Sequence, residues 1–474
     1  MFLSRVDRRS WILFNISISV YMSTLDASIV NISLPTIVRM LNTDIQAVAW
    51  VVTGYLITIT GSLLLVGRLA DLFGQRRMYL MGLLTFTLGS ALCGVSPSIT
   101  FLIGSRLVQG LGAASSMVNG MAIVATAFPE KGRGQALGIL GSIVSVGFLT
   151  GPLIGGFLVE HLGWRSVFFI NLPIGAAGIV LSLKTLDKDG PMKKVALDLW
   201  GALLLLLCIT SLLLLLNRAG RDSAPVLSGL FCFFIFSFLL FFLVETRTPS
   251  PLMDLRLFKR PLFAPSLGAS LLSAWTLSAH TFVMPFFLQG ILNFSPSKVG
   301  MLMFPVSLTT MVVAPLGGKL SDRIGVRLPT TLGLLLLSLS IFSFSFLGER
   351  VSEYHIILRQ VMLGVGIGLF APGNNSAIIG SLPREMVGLA SSFPALSRNL
   401  GLVIGVAAAE MVVALGPYAG SGDPARGIPS LMSLHHVWRL SLIVGLAAVV
   451  LSWARKGRAD RPGSRTEGPL RREA

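Results

Sequence analysis

The feature that most constrains this chain is a series of apolar segments, each about twenty residues long, separated by short polar connections. A helix of roughly twenty apolar residues has the length that crosses the hydrocarbon core of a bilayer. Backbone groups in lipid must be hydrogen-bonded within the segment, so runs of this length favour helices. The composition agrees, because only 12% of the residues are charged, against about 25% in soluble domains. We therefore predict an all-α membrane protein.

Fourteen segments have the required length. Six lie in the first part of the sequence, two in the middle and six in the last part, near 11–33, 45–66, 77–96, 100–122, 134–158, 166–185, 197–217, 226–245, 262–290, 297–316, 328–347, 355–377, 387–413 and 434–453. Turn formers such as Ser96-Pro97-Ser98 and Ser295-Pro296-Ser297 separate them. The first segment exceeds twenty residues and no small-residue cleavage site follows it, which indicates an uncleaved span rather than a signal peptide.

The distribution of basic residues predicts the orientation of the spans. With the N-terminus placed in the cytoplasm, 27 of the 38 Lys and Arg residues fall on the cytoplasmic side and 8 on the other. This asymmetry assigns the net charge of +17 to membrane topology and argues against a nucleic-acid partner. We expect a multi-pass protein of the cytoplasmic (inner) membrane, active as a monomer, with both termini in the cytoplasm.

Cysteine and histidine usage excludes two further classes of protein. The three cysteines lie in apolar runs, which is typical of small core residues rather than disulfides. Five scattered histidines give no metal-ligand spacing. Without a nucleophile and base, a metal set or a GxxxxGK[ST] nucleotide loop, we expect neither an enzyme nor a cofactor, and any energy source is an ion gradient.

An internal repeat relates the first and last groups of six segments. After segments 2 and 10, residues recur at a constant offset of 251 in the pairs Gly67/Gly318, Asp71/Asp322, Gly74/Gly325 and Arg76/Arg327. Arg106 and Arg359 recur at an offset of 253. We predict two parallel six-helix bundles, 1–186 and 251–456, with two spans inserted in 187–250 and a basic tail at 457–474. The recurring loops are candidate gates, because a carboxylate beside arginines forms a breakable pair; the alternative is an ordinary tight, positively charged turn.

Several motifs, in order, resemble those of one family. Residues 67–77 resemble the signature loop of the major facilitator superfamily, and 106–112 resemble its span-4 motif. Residues 25–35, 164–165 and 170–175 resemble elements of the fourteen-span drug:proton antiporter family. The stretch 147–156 matches the antiporter motif, with Gly147, Gly151, Pro152, Gly155 and Gly156. Segment 297–316 lacks the acidic residue of some polyspecific cation exporters, which argues against multivalent cationic drugs as substrates.

Ionisable side chains inside spans are costly and therefore candidates for function. Asp26 and Arg106 lie at similar predicted depths, so we expect them to pair, and competition of substrate and proton for Asp26 would couple the two fluxes. A static structural pair is the alternative. The resemblance implies a role of Arg106 in proton transfer. Glu410, with Arg359, is a second candidate for proton coupling, unless both side chains only extend to the membrane interface.

The glycines of the antiporter motif lie at i, i+4 and i+8 on one helix face, where they permit very close helix packing. This face is either a sliding contact that limits leak or a purely structural one. Aromatic rings with sparse amides suit amphipathic ligands, although core or lipid-facing positions are the alternative. The candidate cavity residues are Tyr55, Gln109, Trp275, His280, Phe286, Gln289, Asn374, Asn375 and Arg398.

These features predict a proton-coupled secondary antiporter that exports small amphipathic organic compounds across the lipid bilayer by alternating access, with protons as coupling ion. An uptake permease for one metabolite or vitamin on the same fold is the main alternative. A receptor without transport activity is a third hypothesis, which the intact charged motifs disfavour.

Overall fold

The computed structural model describes residues 8–128, 130–187, 189, 199–218, 222–248, 255–381, 392–416 and 429–455. Within these ranges all regular elements are helical and no strand occurs. The first part of the chain contains α1 Arg8–Met40, α2 Ile45–Phe73, α3 Gln75–Gly94, α4 Ile99–Ala127, α5 Glu130–Leu162, α6 Ser166–Phe169 and α7 Asn171–Thr185.

The middle and last parts continue the helical pattern. They contain α8 Leu199–Arg218, α9 Ala224–Arg247, α10 Phe263–Pro285, α11 Pro296–Ile324, α12 Arg327–Ser343, α13 Glu353–Gly380, α14 Ser392–Leu415 and α15 Leu431–Trp453. A 3-10 turn at Leu255–Lys259 precedes α10, a π turn at Phe286–Ile291 extends it, and a 3-10 turn at Phe344–Phe346 extends α12.

Each of the fourteen predicted segments is helical over most of its described residues. In the described part of the chain, eleven helices are long and apolar enough to cross a membrane, and Val146–Leu162 and Leu203–Leu216 are shorter apolar helices. The part of the chain that the structure describes is therefore all-helical, and its apolar helices are those of a multi-pass membrane protein. The number fourteen remains a prediction.

Helix boundaries follow from the polar residues between the apolar runs. Ser98, Ser295 and Ser430 each cap the helix that follows, and their side chains accept from the backbone N–H three residues later. Asp44 does the same for α2. Such caps satisfy N–H groups that have no partner inside the helix. Both predicted Ser-Pro-Ser turns accordingly end one helix and begin the next.

The same set of helix pairings occurs in the first and last parts of the chain. α1 packs on α5, α2 on α4 and α3 on α4; likewise α10 packs on α14, α11 on α13 and α12 on α13. α7 lies against α1 and α3, and α15 lies against α10 and α12. We call α1–α7 the N-terminal half and α10–α15 the C-terminal half. α8 packs on α2 and α14, one from each half, and α9 packs on α8.

The two halves meet mainly through α5 with α11 and α2 with α14. We call the side where α1 begins the terminal face and the side where it ends the opposite face. Close contacts join the halves near the opposite face. Glu160, near the end of α5, accepts a hydrogen bond of 2.9 Å from the Ser297 N–H at the start of α11. This bonding holds the pKa of the Glu160 carboxyl below its ordinary value.

Candidate functional site

A buried polar network joins α1, α3, α4 and α7. Both carboxylate oxygens of Asp26 accept hydrogen bonds: Arg106 Nη1 lies 2.6 Å from Oδ2, and Gln109 Nε2 and Asn171 Nδ2 each lie 2.9 Å from Oδ1. The side chains of Asp26 and Arg106 are 0% and 1% exposed. The predicted pairing of these two residues is thus confirmed, and both side chains are buried.

Arg106 has further partners that do not depend on Asp26. Its Nε donates to the Val51 carbonyl at 3.0 Å, and Nη1 lies 2.6 Å from Gln109 Oε1. The guanidinium carbon lies 3.8 Å from the centre of the Tyr55 ring, a cation–π contact. Arg106 therefore has contacts in addition to its ion pair with Asp26.

Ser90 on α3 completes the network. Its hydroxyl accepts from Gln109 Nε2 at 3.1 Å and from Asn171 Nδ2 at 3.0 Å, and it donates to the Phe168 carbonyl at 2.9 Å. Gln109 and Tyr55, predicted as cavity lining, belong to this network instead. Ser90 and Asn171 were missed as site residues, although polar residues inside apolar runs are the signal that would have found them.

The glycines of the predicted antiporter motif face two different helices. A Cβ on Gly147 would lie 2.8 Å from Thr24 Cβ, and one on Gly155 would lie 2.7 Å from Ile29 Cγ1, both on α1; Gly151 meets Ser28. Gly156 instead packs on α11, where an added Cβ would lie 2.5 Å from the Pro296 carbonyl oxygen. Pro152, within α5, meets Gly300 of α11. The motif therefore makes a close approach to α1 and also to the C-terminal half.

Glycines of the C-terminal half make corresponding contacts at an offset of 254 residues. Gly401 and Gly405 on α14 pack against α10 at Leu271 and Trp275, as Gly147 and Gly151 pack on α1. This second stripe was not predicted from the sequence.

The close contact between Gly366 and Gly333 shows how the residues of α13 align with those of α4 in the N-terminal half. Gly366 meets Gly333 and Leu337 as Gly112 meets Gly82 and Phe86. Residues of α13 therefore correspond to residues of α4 at an offset of 254, whereas residues of α12 correspond to residues of α3 at an offset of 251. The residue of α13 that corresponds to Arg106 is therefore Gln360, and the offset of 253 that pairs Arg106 with Arg359 is wrong by one residue.

Arg359 and Gln360 accordingly lie on different faces of α13, because successive helical residues differ by about 100°. The Arg359 side chain lies at the end of α12 and the start of α13, where it donates to the carbonyls of Ser343 and His355. Gln360 is fully buried. Its amide lies close enough to the imidazole of His280 on α10 to interact with it, but in a geometry too poor for a full hydrogen bond. His280, also fully buried, packs against Phe344 and Trp438.

The other predicted site residues with charged side chains lie apart from the Asp26 network. Glu410, on α14, is 1% exposed, and its role in proton coupling remains a prediction. Arg398, on the same helix, is half-buried and forms no hydrogen bond or ion pair with a described residue. Its role in binding a substrate remains a prediction.

Asn374, predicted as cavity lining, belongs to a structural cluster instead. It is 1% exposed, its amide donates to the Ser266 carbonyl, and its Oδ1 accepts from Arg455 Nη2 at 2.5 Å. Arg455 follows α15 and is itself 3% exposed. Its burial lowers the pKa of the guanidinium to about 10. The neighbouring Asn375 is exposed.

Gln289 joins the two halves. Its amide donates to the Ile32 carbonyl at 2.8 Å, and its Oε1 lies 3.5 Å from the Thr36 hydroxyl, both on α1. Phe286 is buried against Phe282, and Trp275 is buried beside Gly405. These three predicted cavity residues therefore make contacts within or between the halves.

The two predicted gating loops share a backbone conformation. Gly74 and Gly325 have φ of 97° and 86°, which side chains other than glycine rarely adopt. Gly67 and Gly318 lie within α2 and α11. The side chain of Asp71 lies outside the described residues; Asp322 is exposed and pairs with no described cation.

Each gating loop is also held by a neighbouring part of the chain. Asp189 accepts hydrogen bonds from the backbone N–H groups of Arg76 and Arg77 and thereby caps α3. Arg327 lies 4.1 Å over the Trp453 ring. The loops are thus fastened to the ends of α7 and α15 on the terminal face.

Among the described residues, no group of three His, Cys, Asp or Glu side chains is suited to hold a metal ion. A cavity of about 270 Å³ lies among α8, α9, α10 and α14, lined by apolar side chains that include Leu205, Phe241 and Leu400. None of the predicted cavity residues lines it.

Comparison with known proteins gives consistent matches over most of the chain. The sequence profile of the Major Facilitator Superfamily matches residues 16–406 and, in a second alignment, 266–473. The riboflavin transporter RibZ of Clostridioides difficile (strain 630) is 36% identical over 84% of this chain and 87% of its own length. The multidrug resistance protein Stp of Mycobacterium tuberculosis (strain CDC 1551 / Oshkosh) is 34% identical over 84% of this chain and 74% of its own.

One solved structure matches the fold over most of the chain. The bacterial homologue of the human lysosomal transporter Spinster, in an inward-facing and unoccupied conformation, superposes with a TM-score of 0.65. It covers 95% of this chain and 98% of its own, at 14% identity, so this likeness concerns the fold alone.

Proposed function

This chain belongs to the Major Facilitator Superfamily, and we propose that it is a proton-coupled antiporter that exports small amphipathic organic compounds across the cytoplasmic membrane. The observation that carries the proposal is the buried Asp26–Arg106 pair, a charged pair inside a membrane protein whose carboxylate has three hydrogen-bond donors. Relatives named as multidrug resistance or multidrug transporter proteins support export of organic compounds.

The proposed arrangement has fourteen spans in two parallel six-helix bundles, with α8 and α9 inserted between them and both termini in the cytoplasm. The repeated helix pairings support the two bundles. The 27 to 8 distribution of basic residues supports a cytoplasmic terminal face. α8 contacts one helix of each bundle, so it would follow both during a conformational change.

In the proposed cycle, Asp26 binds a proton when its ion pair with Arg106 separates, and it releases the proton when the ion pair forms again. Protonation removes the charge that pairs with Arg106, while the Val51 carbonyl and the Tyr55 ring keep the guanidinium solvated. The cost of a buried unpaired cation is thereby reduced. A substrate that binds better to the deprotonated site then competes with the proton for Asp26, which couples the two opposite fluxes.

The contacts between the halves support a state closed at the opposite face. The α5–α11 contact at Gly156 and Pro296 is too close for any side chain on that glycine. Gln289 bonds to the Ile32 carbonyl nearby. We propose that these contacts separate in the outward-open state, and that the predicted gating loops close the terminal face in exchange.

The test is transport in proteoliposomes that contain the purified protein, with ethidium as a cationic probe and a fluorescein derivative as an anionic one. When the pH is lower at the face opposite the termini, the proton gradient should drive at least one probe towards this acidic side. The control is Asp222→Asn, which removes an exposed carboxylate paired with Arg218 near α8 and leaves the site intact. No response of either probe to the gradient would contradict the proposal.

Uptake of a vitamin is the second candidate, and similarity to the riboflavin transporter of Clostridioides difficile favours it. The discriminating measurement is riboflavin accumulation in the same proteoliposomes. Accumulation of riboflavin, with neither probe exported, would replace the antiporter with an uptake permease.

A further inference from the structure

Five polar side-chain atoms without hydrogen-bond partners lie together in the interior of the C-terminal half. They are both ring nitrogens of His280, both amide atoms of Gln360, and Nε1 of Trp438. All three side chains are 0% exposed. A buried polar atom left without a partner costs about 1–3 kcal/mol, so a cluster of five in a lipid-embedded protein is a candidate for a functional site.

The three residues come from α10, α13 and α15. The imidazole of His280 is 4.7 Å from the Phe344 ring and 6.4 Å from the Trp438 ring, between ring centres. Gln360 approaches the imidazole from α13. Gln360 is also the residue that corresponds to Arg106, so this cluster occupies the place in the C-terminal half that the arginine occupies in the N-terminal half.

The chemistry of the pair suits the binding of one proton. Histidine is the side chain that gains or loses a proton near neutral pH. When a proton binds to one ring nitrogen, the imidazolium has two N–H donors, and the Oε1 of Gln360 is the neighbouring acceptor. No carboxylate pairs with His280 among the described residues, so the bound proton adds a full positive charge.

We propose that His280, with Gln360 as its hydrogen-bond acceptor, is a second proton-binding site, separate from Asp26 and Arg106. Its part in transport rests on the proposed proton coupling, whereas proton binding itself is measurable without transport. One proton enters from water when the cluster becomes accessible and leaves to water again.

Other charged groups and histidines lie on the helices that pack around α10, and none forms an ion pair with His280 in the described part of the chain. They are Arg8, Arg9, Asp26 and Arg39 on α1, Arg327 on α12, Glu353, His355 and Arg359 on α13, Arg398 and Glu410 on α14, and His435, His436 and Arg439 on α15. His435 needs a control, because its ring lies 5.9 Å from that of Trp438 and its Nε2 lies 2.8 Å from the Leu347 carbonyl oxygen.

Trp438 provides a direct optical probe, because a protonated imidazole quenches the fluorescence of a nearby indole. The experiment titrates the tryptophan fluorescence of the purified full-length protein in lipid nanodiscs from pH 9 to pH 4. The background variant carries H435Q and H436Q. We expect a quenching step as the pH falls, which disappears when His280→Gln or Trp438→Phe is added and persists when Asp26→Asn is added.

A second variant keeps the test decisive if His280→Gln does not fold. Gln360→Glu places a carboxylate beside the imidazole and should move the midpoint of the step upward by about 1–3 pH units. A background without any step, a step that survives His280→Gln, or a midpoint that Gln360→Glu leaves unchanged would each overturn the site. Absence of proton-driven transport with the step intact would instead contradict only the proposed function.

Discussion

The interiors of the two halves differ in charge and in hydrogen bonding. In the N-terminal half, Asp26 and Arg106 form an ion pair whose carboxylate oxygens both accept hydrogen bonds. In the C-terminal half, the neutral residues His280 and Gln360 occupy the interior, and neither forms a hydrogen bond with a described residue. Similar helix packing therefore supports a fully paired charged site in one half and an unpaired neutral one in the other.

The difference indicates that the polar site of the N-terminal half is held in its paired state, whereas the polar cluster of the C-terminal half can form new bonds. An ion pair with good geometry in a low-dielectric interior is hard to separate unless a charge is removed. A neutral cluster with unused donors and acceptors instead gains bonds when it takes up a proton or a polar group. We therefore expect substitutions to have unequal effects at corresponding positions.

The largest effect is expected at Arg106. Arg106→Met leaves the Asp26 carboxylate buried without a cation, which should lower the free energy of unfolding by about 3–5 kcal/mol. The measurement is reversible unfolding of the purified protein in mixed micelles. The double variant D26N/R106M should recover much of this loss, since neither charge remains.

Arg359→Met is the matched control for this prediction. Arg359 lies near a helix end and bonds to carbonyls only, so we expect a change within about 0.5 kcal/mol. If Arg359→Met destabilised the protein as much as Arg106→Met, the assigned difference between the halves would be wrong.

The glycine stripes should give intermediate and nearly equal losses of stability. Gly151→Ala places a methyl against Ser28, and Gly405→Ala places one against Trp275. Each should cost about 1–3 kcal/mol because the packed helices must move apart. Gly104→Ala is the control, since nothing lies within 4 Å of the added carbon, and it should stabilise α4 by about 0.5–1 kcal/mol.

Transport rates of the same variants give a second comparison of the two glycine stripes. If the α1–α5 contact slides during transport, Gly151→Ala should slow transport more than Gly405→Ala at equal stability. Equal slowing would show that the two stripes serve the same purpose.

Gln360→Met should change stability little. Both polar atoms of Gln360 are buried without hydrogen bonds, so an apolar side chain of similar size removes an unfavourable burial and should be neutral or stabilising by about 1 kcal/mol. Unfolding in the same micelles measures it. A loss of 2 kcal/mol or more would mean that the amide has partners in the folded protein.

The smallest effect is expected at the contact between the halves. The pKa of Glu160 is lowered by its bonding to Ser297, so the carboxylate stabilises the folded state above the pKa of the free side chain. This contribution is lost as the pH falls through the lowered value. The thermal midpoint of Glu160→Gln should therefore lie slightly below that of the unchanged protein at pH 7, and the two should converge below about pH 4. A difference independent of pH would contradict the assignment.

Much of the fold and part of the site were predictable from the sequence. Apolar run length located the helices, Ser-Pro-Ser turns located two of the helix ends, and matched depth paired Asp26 with Arg106. Depth along a helix is a coarse quantity, however, and it does not determine the face. Arg359 was therefore paired with Arg106 by its charge, while the packing of Gly366 on Gly333 assigns that position to Gln360.

Contacts made by residues distant in sequence account for the other differences. Asn374 resembles a cavity residue until Arg455, which follows the last helix, is seen to bond with it. Ser90 and Asn171 enter the site because α3 packs on α4, and α7 packs on α1 and α3, a consequence of tertiary packing that no local pattern expresses.

The central claim, that Asp26 and Arg106 couple substrate to protons, is tested most directly by Asp26→Asn in proteoliposomes loaded with a pH-sensitive dye. Probe movement and the accompanying proton movement are recorded together, with Asp222→Asn as control. We predict that Asp26→Asn still exchanges labelled for unlabelled probe at equilibrium but moves no protons with it. Proton movement coupled to the probe at the rate of the unchanged protein would contradict it.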